Sequence, residues 1–127
     1  MKFELVLVLL SCILTFMNHE MKLQPGPFSR IKDGSKVIES RLFDEKRQQI
    51  KIGDTITFIA EPERVESLKT QVTGLLRYGS FDEMMSDIPT TLFGGNAKEE
   101  LISELEEFYT KEMQKEHGVL GIRIKLV

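Results

Sequence analysis

The order in which two hydrophobic periods alternate along the chain constrains its fold more than any other feature. Short runs with a period of two, the mark of half-buried strands, are separated at irregular intervals by segments with helical spacing. Residues 21–24 open as a short strand ended by Pro25-Gly26, and Pro27 suits the first turn of a helix. Phe28 and Ile31 share a face of that helix, and Gly34 supplies its stop. Residues 37–43 alternate, with Val37, Glu39 and Arg41 on one side and Ile38, Ser40 and Leu42 on the other. Residues 50–54 read as a strand end and turn, 55–60 as a further strand, and 65–78 as another strand or a bent pair. Ser80 and Glu83 form a capping box that opens a short helix carrying Phe81, Met84 and Met85. Asn96 is set to cap a longer helix that runs to Gly118, with an apolar stripe of Leu101, Ile102, Leu105, Phe108 and Tyr109. Residues 119–127 alternate as a closing strand. A parallel βαβ array would need regular alternation, which is absent. The expectation is an α+β fold: about five strands in a small, mostly antiparallel barrel with two or three flanking helices.

The remaining counts narrow the function. A single cysteine excludes an internal disulfide framework and a four-cysteine zinc site, and two distant histidines make no metal cluster, so neither metal nor cofactor is expected. A net charge of −3 speaks against a generic polyanion binder. That total hides a split. Residues 21–60 carry eight basic against five acidic side chains, whereas residues 61–117 carry six against thirteen. A local anion-binding face in the first third is therefore compatible with an acidic chain. Residues 5–17 are apolar apart from Ser11 and Thr15, too short for a bilayer span of about 20 residues. Residues 1–18 are expected to be an apolar leader outside the domain, signal-like or the product of an upstream start, and residues 19–127 to be the folded unit.

Ile31-Lys32-Asp33-Gly34-Ser35-Lys36-Val37-Ile38-Glu39-Ser40-Arg41, followed by Ile52-Gly53-Asp54-Thr55-Ile56-Thr57-Phe58, resembles the ASCH domain, a branch of the PUA-like barrels. Tyr78-Gly79-Ser80-Phe81 and Gly118-Val119-Leu120-Gly121-Ile122 resemble small bacterial single-domain members of the same family. The resemblance implies a barrel of five or six strands with a cleft near the first helix and the strand after it. It also implies binding of RNA or a modified nucleoside, and some small members deacylate N4-acetylcytidine.

Lys36, Glu39 and Arg41 are the leading binding candidates: Arg and Lys can neutralise phosphate while Glu accepts from an exocyclic amine. Lys32, Lys46 and Arg47 would extend phosphate contacts, and Phe81 would stack on a base at the cleft edge. If the chain is a nucleoside amidohydrolase, Lys36 is the lysine carried over from the family pattern. The nucleophilic threonine of those enzymes is replaced here by Glu39, which leaves a Lys36/Glu39 water-activating pair as the variant. A third class, a protein-interaction adaptor, would use the acidic helix around Glu99–Glu116. An RNA-directed domain is expected in the cytoplasm, or outside it if the leader acts as a signal.

Overall fold

The computed structural model describes residues 15–127 apart from Asn96. Residues 1–14, most of the apolar leader, and the capping role read for Asn96 lie outside the described residues. The elements run β1 (Asn18–Leu23), α1 (Pro25–Lys32), β2 (Ile38–Leu42), β3 (Thr55–Ala60), β4 (Ser67–Tyr78), α2 (Phe81–Asp87), α3 (Lys98–Glu106), α4 (Lys111–His117) and β5 (Val119–Leu126). One sheet has the order β1-β3-β4-β5-β2. β1 runs parallel to β3, and the other three pairings are antiparallel. The sheet curls into a half-barrel, bringing the two edge strands together: Arg41 of β2 donates to the Lys22 carbonyl of β1 at 3.0 Å.

Two apolar clusters hold the curl. The inner one joins Met21, Ile56, Phe58, Val72, Leu120 and Ile122 to Phe28 and Ile31 of α1, which plugs the half-barrel. The outer one sets Ile38, Leu42 and Val119 against Phe81, Met84 and Met85 of α2 and Leu101 of α3. Each large apolar side chain removed from water contributes about 1.5–3 kcal/mol. Gly121 is required at that contact, since a Cβ there would stand 2.9 Å from the Met84 sulfur.

Of the two readings of residues 65–78, the single strand is the one found, over Ser67–Tyr78 with a bulge between Val72 and Gly74. Two local expectations are corrected. Residues 50–54 form a turn closed by Asp54, whose buried carboxylate accepts from the Met17 and Lys51 N–H groups and from His19 Nε2 at 2.8–3.0 Å. The stretch read as one long helix is two, because the Thr110 hydroxyl accepts from the Met113 N–H and restarts the helix there. The break at residues 107–110 leaves Phe108 exposed rather than in an apolar stripe.

Candidate functional site

The site begins where α1 ends. Gly34 at φ +87° turns the chain, the Lys36 N–H donates to the Arg30 carbonyl, and Lys36 pairs with Phe93 across an isolated antiparallel bridge. Gly94, at φ +72°, presses on the same residue: a Cβ there would come within 2.6 Å of the Lys36 Cβ. Backbone and loop together bury the Lys36 side chain and aim its amine at β2.

β2 then alternates Glu39 and Arg41 onto the inner face at the seam between the edge strands. Glu39 Oε1 lies 3.0 Å from Lys36 Nζ and accepts the Ser40 N–H at 3.0 Å. Glu39 Oε2 accepts Arg41 Nε at 2.9 Å and Nη2 at 2.8 Å. Burial alone would raise the Glu39 carboxyl. The charges of Lys36 and Arg41, with hydrogen bonds from both, outweigh it and hold the pKa at about 2 against the ordinary 4.5. Burial likewise opposes the charge on Arg41, and the charge of Glu39, with its hydrogen bonds, outweighs it and raises the Arg41 pKa. A carboxylate offers about four lone pairs. All four are occupied, so Glu39 has none left for a ligand amine, and its low pKa makes it a poor base for water. The acceptor role read from sequence is corrected on that ground: Glu39 orients Lys36 and Arg41, whose remaining N–H groups can face a ligand.

These side chains floor a cavity of about 580 Å³, within the range of small-molecule sites. Leu23, Pro27, Phe93 and Leu105 supply apolar wall, and Phe108 and Tyr109 stand on the α3–α4 side. Lys36, Arg30 and Arg41 are matched by Glu39, Glu104 and Glu107, so the lining is charge-balanced rather than the basic cleft expected from the segment count.

Of the predicted residues, Lys36, Glu39 and Arg41 come together. The others stand elsewhere. Lys32 pairs with Glu66 on the surface, Arg47 pairs with Asp44 at 2.7 Å, and the exposed Lys46 lies in the same loop. None of the three lines the cavity. Phe81 is fully buried 5.9 Å from Tyr109, ring centre to ring centre, and has no free face on which a base could stack. Three cavity residues carry roles that the sequence reading does not assign them: Arg30 has none there, and Phe108 and Tyr109 fall in an apolar helix stripe. Arg30 lines the cavity from α1, with its buried Nε lacking a hydrogen-bond partner among the described residues. Phe108 and Tyr109 reach it because the helix breaks at Thr110, a cap signal that competes weakly with a continuous apolar stripe. No group of three metal-ligating side chains occurs among the described residues, and no helix among them is long and apolar enough to cross a membrane.

A curled five-stranded sheet with a helix-flanked cavity at the seam of its edge strands defines a PUA-like half-barrel. Within that class the chain belongs to the ASCH domain family, whose model matches residues 21–127. It is similar to the hypothetical protein PH0355, known from a crystal structure, at 40% identity over 87% of this chain and 100% of that one, with a TM-score of 0.76. Protein PF0455 from Pyrococcus furiosus, solved by NMR, is 39% identical over 87% of this chain and 98% of that one, with a TM-score of 0.69. ASCH from Zymomonas mobilis shares the fold at a TM-score of 0.63, with 9% identity over 85% of this chain and 66% of that one. No curated protein matches the chain.

The Gly94 contact gives a direct test of how Lys36 is held. Gly34→Ala meets nothing within 4 Å and should cost only left-handed strain, about 1 kcal/mol. Gly94→Ala adds a collision with the Lys36 stem and should cost about 3 kcal/mol in urea unfolding. Equal losses at the two glycines would mean that the loop does not position Lys36.

Proposed function

We propose that the cavity receives a single nucleoside, free or unpaired within an RNA strand. The observation that carries this reading is the donor pair Lys36 and Arg41, oriented by a saturated Glu39 at the floor of a cavity of about 580 Å³. Such a floor suits the carbonyl oxygens of a base. Exposed Phe108 and half-buried Tyr109 supply aromatic surface, and base stacking of this kind contributes about 1–3 kcal/mol. The balanced lining favours a neutral base and sugar over a run of phosphates. Family membership supports the same ligand class, and with it a cytoplasmic setting where RNA is found.

Titration with the four common ribonucleosides and N4-acetylcytidine, followed by amide chemical shifts, tests the proposal. At least one nucleoside is expected to perturb residues 36–41 and 104–109. Phe108→Ala, a change at an exposed position, should weaken that binding about tenfold. No binding by any of the five, or binding indifferent to Phe108→Ala, would sink it. The amidohydrolase alternative is read in the same tubes by cytidine release from N4-acetylcytidine. With its pKa held at about 2, Glu39 is a poor base for activating water, so no release is expected.

A further inference from the structure

The outer face of the half-barrel is covered over only part of its extent. Residues directly opposite one another on neighbouring strands share a face. The register therefore puts Ile38 and Leu42 of β2, Val119, Gly121, Arg123 and Lys125 of β5, and Leu76 and Tyr78 of β4 on the outer side. The outer apolar cluster occupies the half that carries Ile38, Leu42 and Val119. The other half continues through Arg123 and Lys125 to Lys69 and Gln71 of β4, Thr55 and Thr57 of β3, and Glu20 and Lys22 of β1.

Lys69, Arg123 and Lys125 are exposed there. Arg123 stands opposite Gly74, Lys125 opposite Gln71, and Lys69 is two residues before Gln71 on the same strand. The three cations thus form a connected row with neighbours about 7 Å apart. No hydrogen bond or ion pair of their side chains occurs among the described residues. Neighbouring like charges are mutually destabilising on a sheet. The carboxylate on the strand residues of this face is Glu20, separated from Lys69 by Thr57. Beside the cations the surface is hydroxyl and amide, with Asn18 accepting from the Thr55 and Thr57 side chains. This positive patch belongs to a chain whose net charge is −3 and lies apart from the charge-balanced cavity.

We infer that this uncovered half of the outer face is a track for the phosphodiester backbone of a single-stranded RNA. Charge complementarity calls for a polyanion, and the strand residues described for this half, the cations among them, carry no aromatic ring; the exposed Phe16 stands at its far edge, against Gly53, so the row of cations meets phosphates rather than stacked bases. That the strand is single rests on the nucleoside reading, since a base can enter the cavity only when unpaired. The track adds a second contact region, which separates a polymer from a free nucleoside as the natural ligand.

The experiment titrates a short labelled oligouridylate by fluorescence anisotropy at about 50 and 200 mM salt. It compares the unaltered chain with the triple variant Lys69→Gln, Arg123→Gln and Lys125→Gln. All three positions are exposed and their charges repel one another, so the melting temperature should not fall, and it is measured alongside. The triple variant is expected to bind about tenfold more weakly at the lower salt. Its log–log salt slope should be shallower by about 2, because each phosphate contact on a single strand contributes about 0.7. Nucleoside titration of the cavity should be unchanged. If no nucleoside binds but the variant still lowers the oligonucleotide slope, the track stands and the cavity reading falls. Unaltered oligonucleotide affinity and slope in the variant overturn the inference. So does binding to phosphatidylserine vesicles that depends on these cations when oligouridylate does not bind, which would make a membrane the occupant.

Discussion

Glu39→Ala is expected to lower the melting temperature by roughly 15 °C, the largest single-residue effect in the molecule. The substitution deletes little volume but leaves Lys36 and Arg41 buried beside each other with no counter-charge. Breaking a buried pair from one side costs about 3–5 kcal/mol, and a domain of this size loses about 4 °C per kcal/mol. Arg41 would keep its bond to the Lys22 carbonyl, so the edge strands should stay joined while the floor of the cavity loosens. A scanning calorimetry shift of only a few degrees would show that solvent reaches the cluster and screens it.

The same carboxyl sets a pH dependence whose sign follows from its lowered pKa. A group that ionises more easily folded than unfolded stabilises the fold fully above its unfolded pKa, here about 4.5. That contribution drains away as pH falls through the folded value of about 2 and amounts to roughly 3 kcal/mol. Other carboxyls titrate in this window too, so the unaltered chain must be compared with Glu39→Gln. The difference between their unfolding free energies should shrink by that amount between about pH 5 and pH 2. Parallel pH profiles for the two proteins would contradict the assignment.

Asp54→Ala is expected to be nearly as damaging, by about 3 kcal/mol, through a different route. Its fully buried carboxylate gathers two backbone N–H groups and His19, and so fastens the start of β1 to the turn before β3. Removing it strands two backbone donors, each costing about 1–3 kcal/mol. Burial acts to raise this carboxyl, and the bonds from His19, Met17 and Lys51 hold it below its ordinary value. Hydrogen exchange should localise the damage: amides of residues 18–23 lose protection while those of β4 and β5 keep theirs. Asp54→Asn should rescue only in part, since one amide face would oppose the donors that Oδ2 now accepts. Uniform loss of protection across the sheet would mean that Asp54 supports the whole core rather than the β1 attachment.

Much of this architecture is legible in local sequence because its signals are local. The strands at 55–60 and 119–126 are alternating runs, the Ser80–Glu83 cap opens α2, and Gly34 stops α1 where it was read to do so. The division at Thr110 was harder to read: an apolar stripe running across it satisfies helical spacing equally well, and only packing shows that the chain turns there. Phe81 illustrates the same limit. A phenylalanine after a helix cap fits a cleft edge or a core, and the choice depends on which surface the helix meets.

Gly-x-Lys and Glu-x-Arg, with their turn and their strand, put Lys36, Glu39 and Arg41 together by sequence alone. Chain order also excluded a parallel α/β fold, and residue counts excluded a disulfide scaffold. Burial and charge environment were decided by tertiary structure. On an isolated strand Glu39 and Arg41 form one face of an ordinary ion pair. Curling of the sheet brings β1 against that face, where the Lys22 carbonyl accepts from Arg41, and removes the pair from water. Fold closure likewise sent Lys32, Lys46 and Arg47 away from the cavity, although they lie near Lys36 and Arg41 in sequence. Proximity along a chain constrains distance over a few residues, whereas electrostatics acts through space, so the character of this site was set only when the two edges of the sheet met.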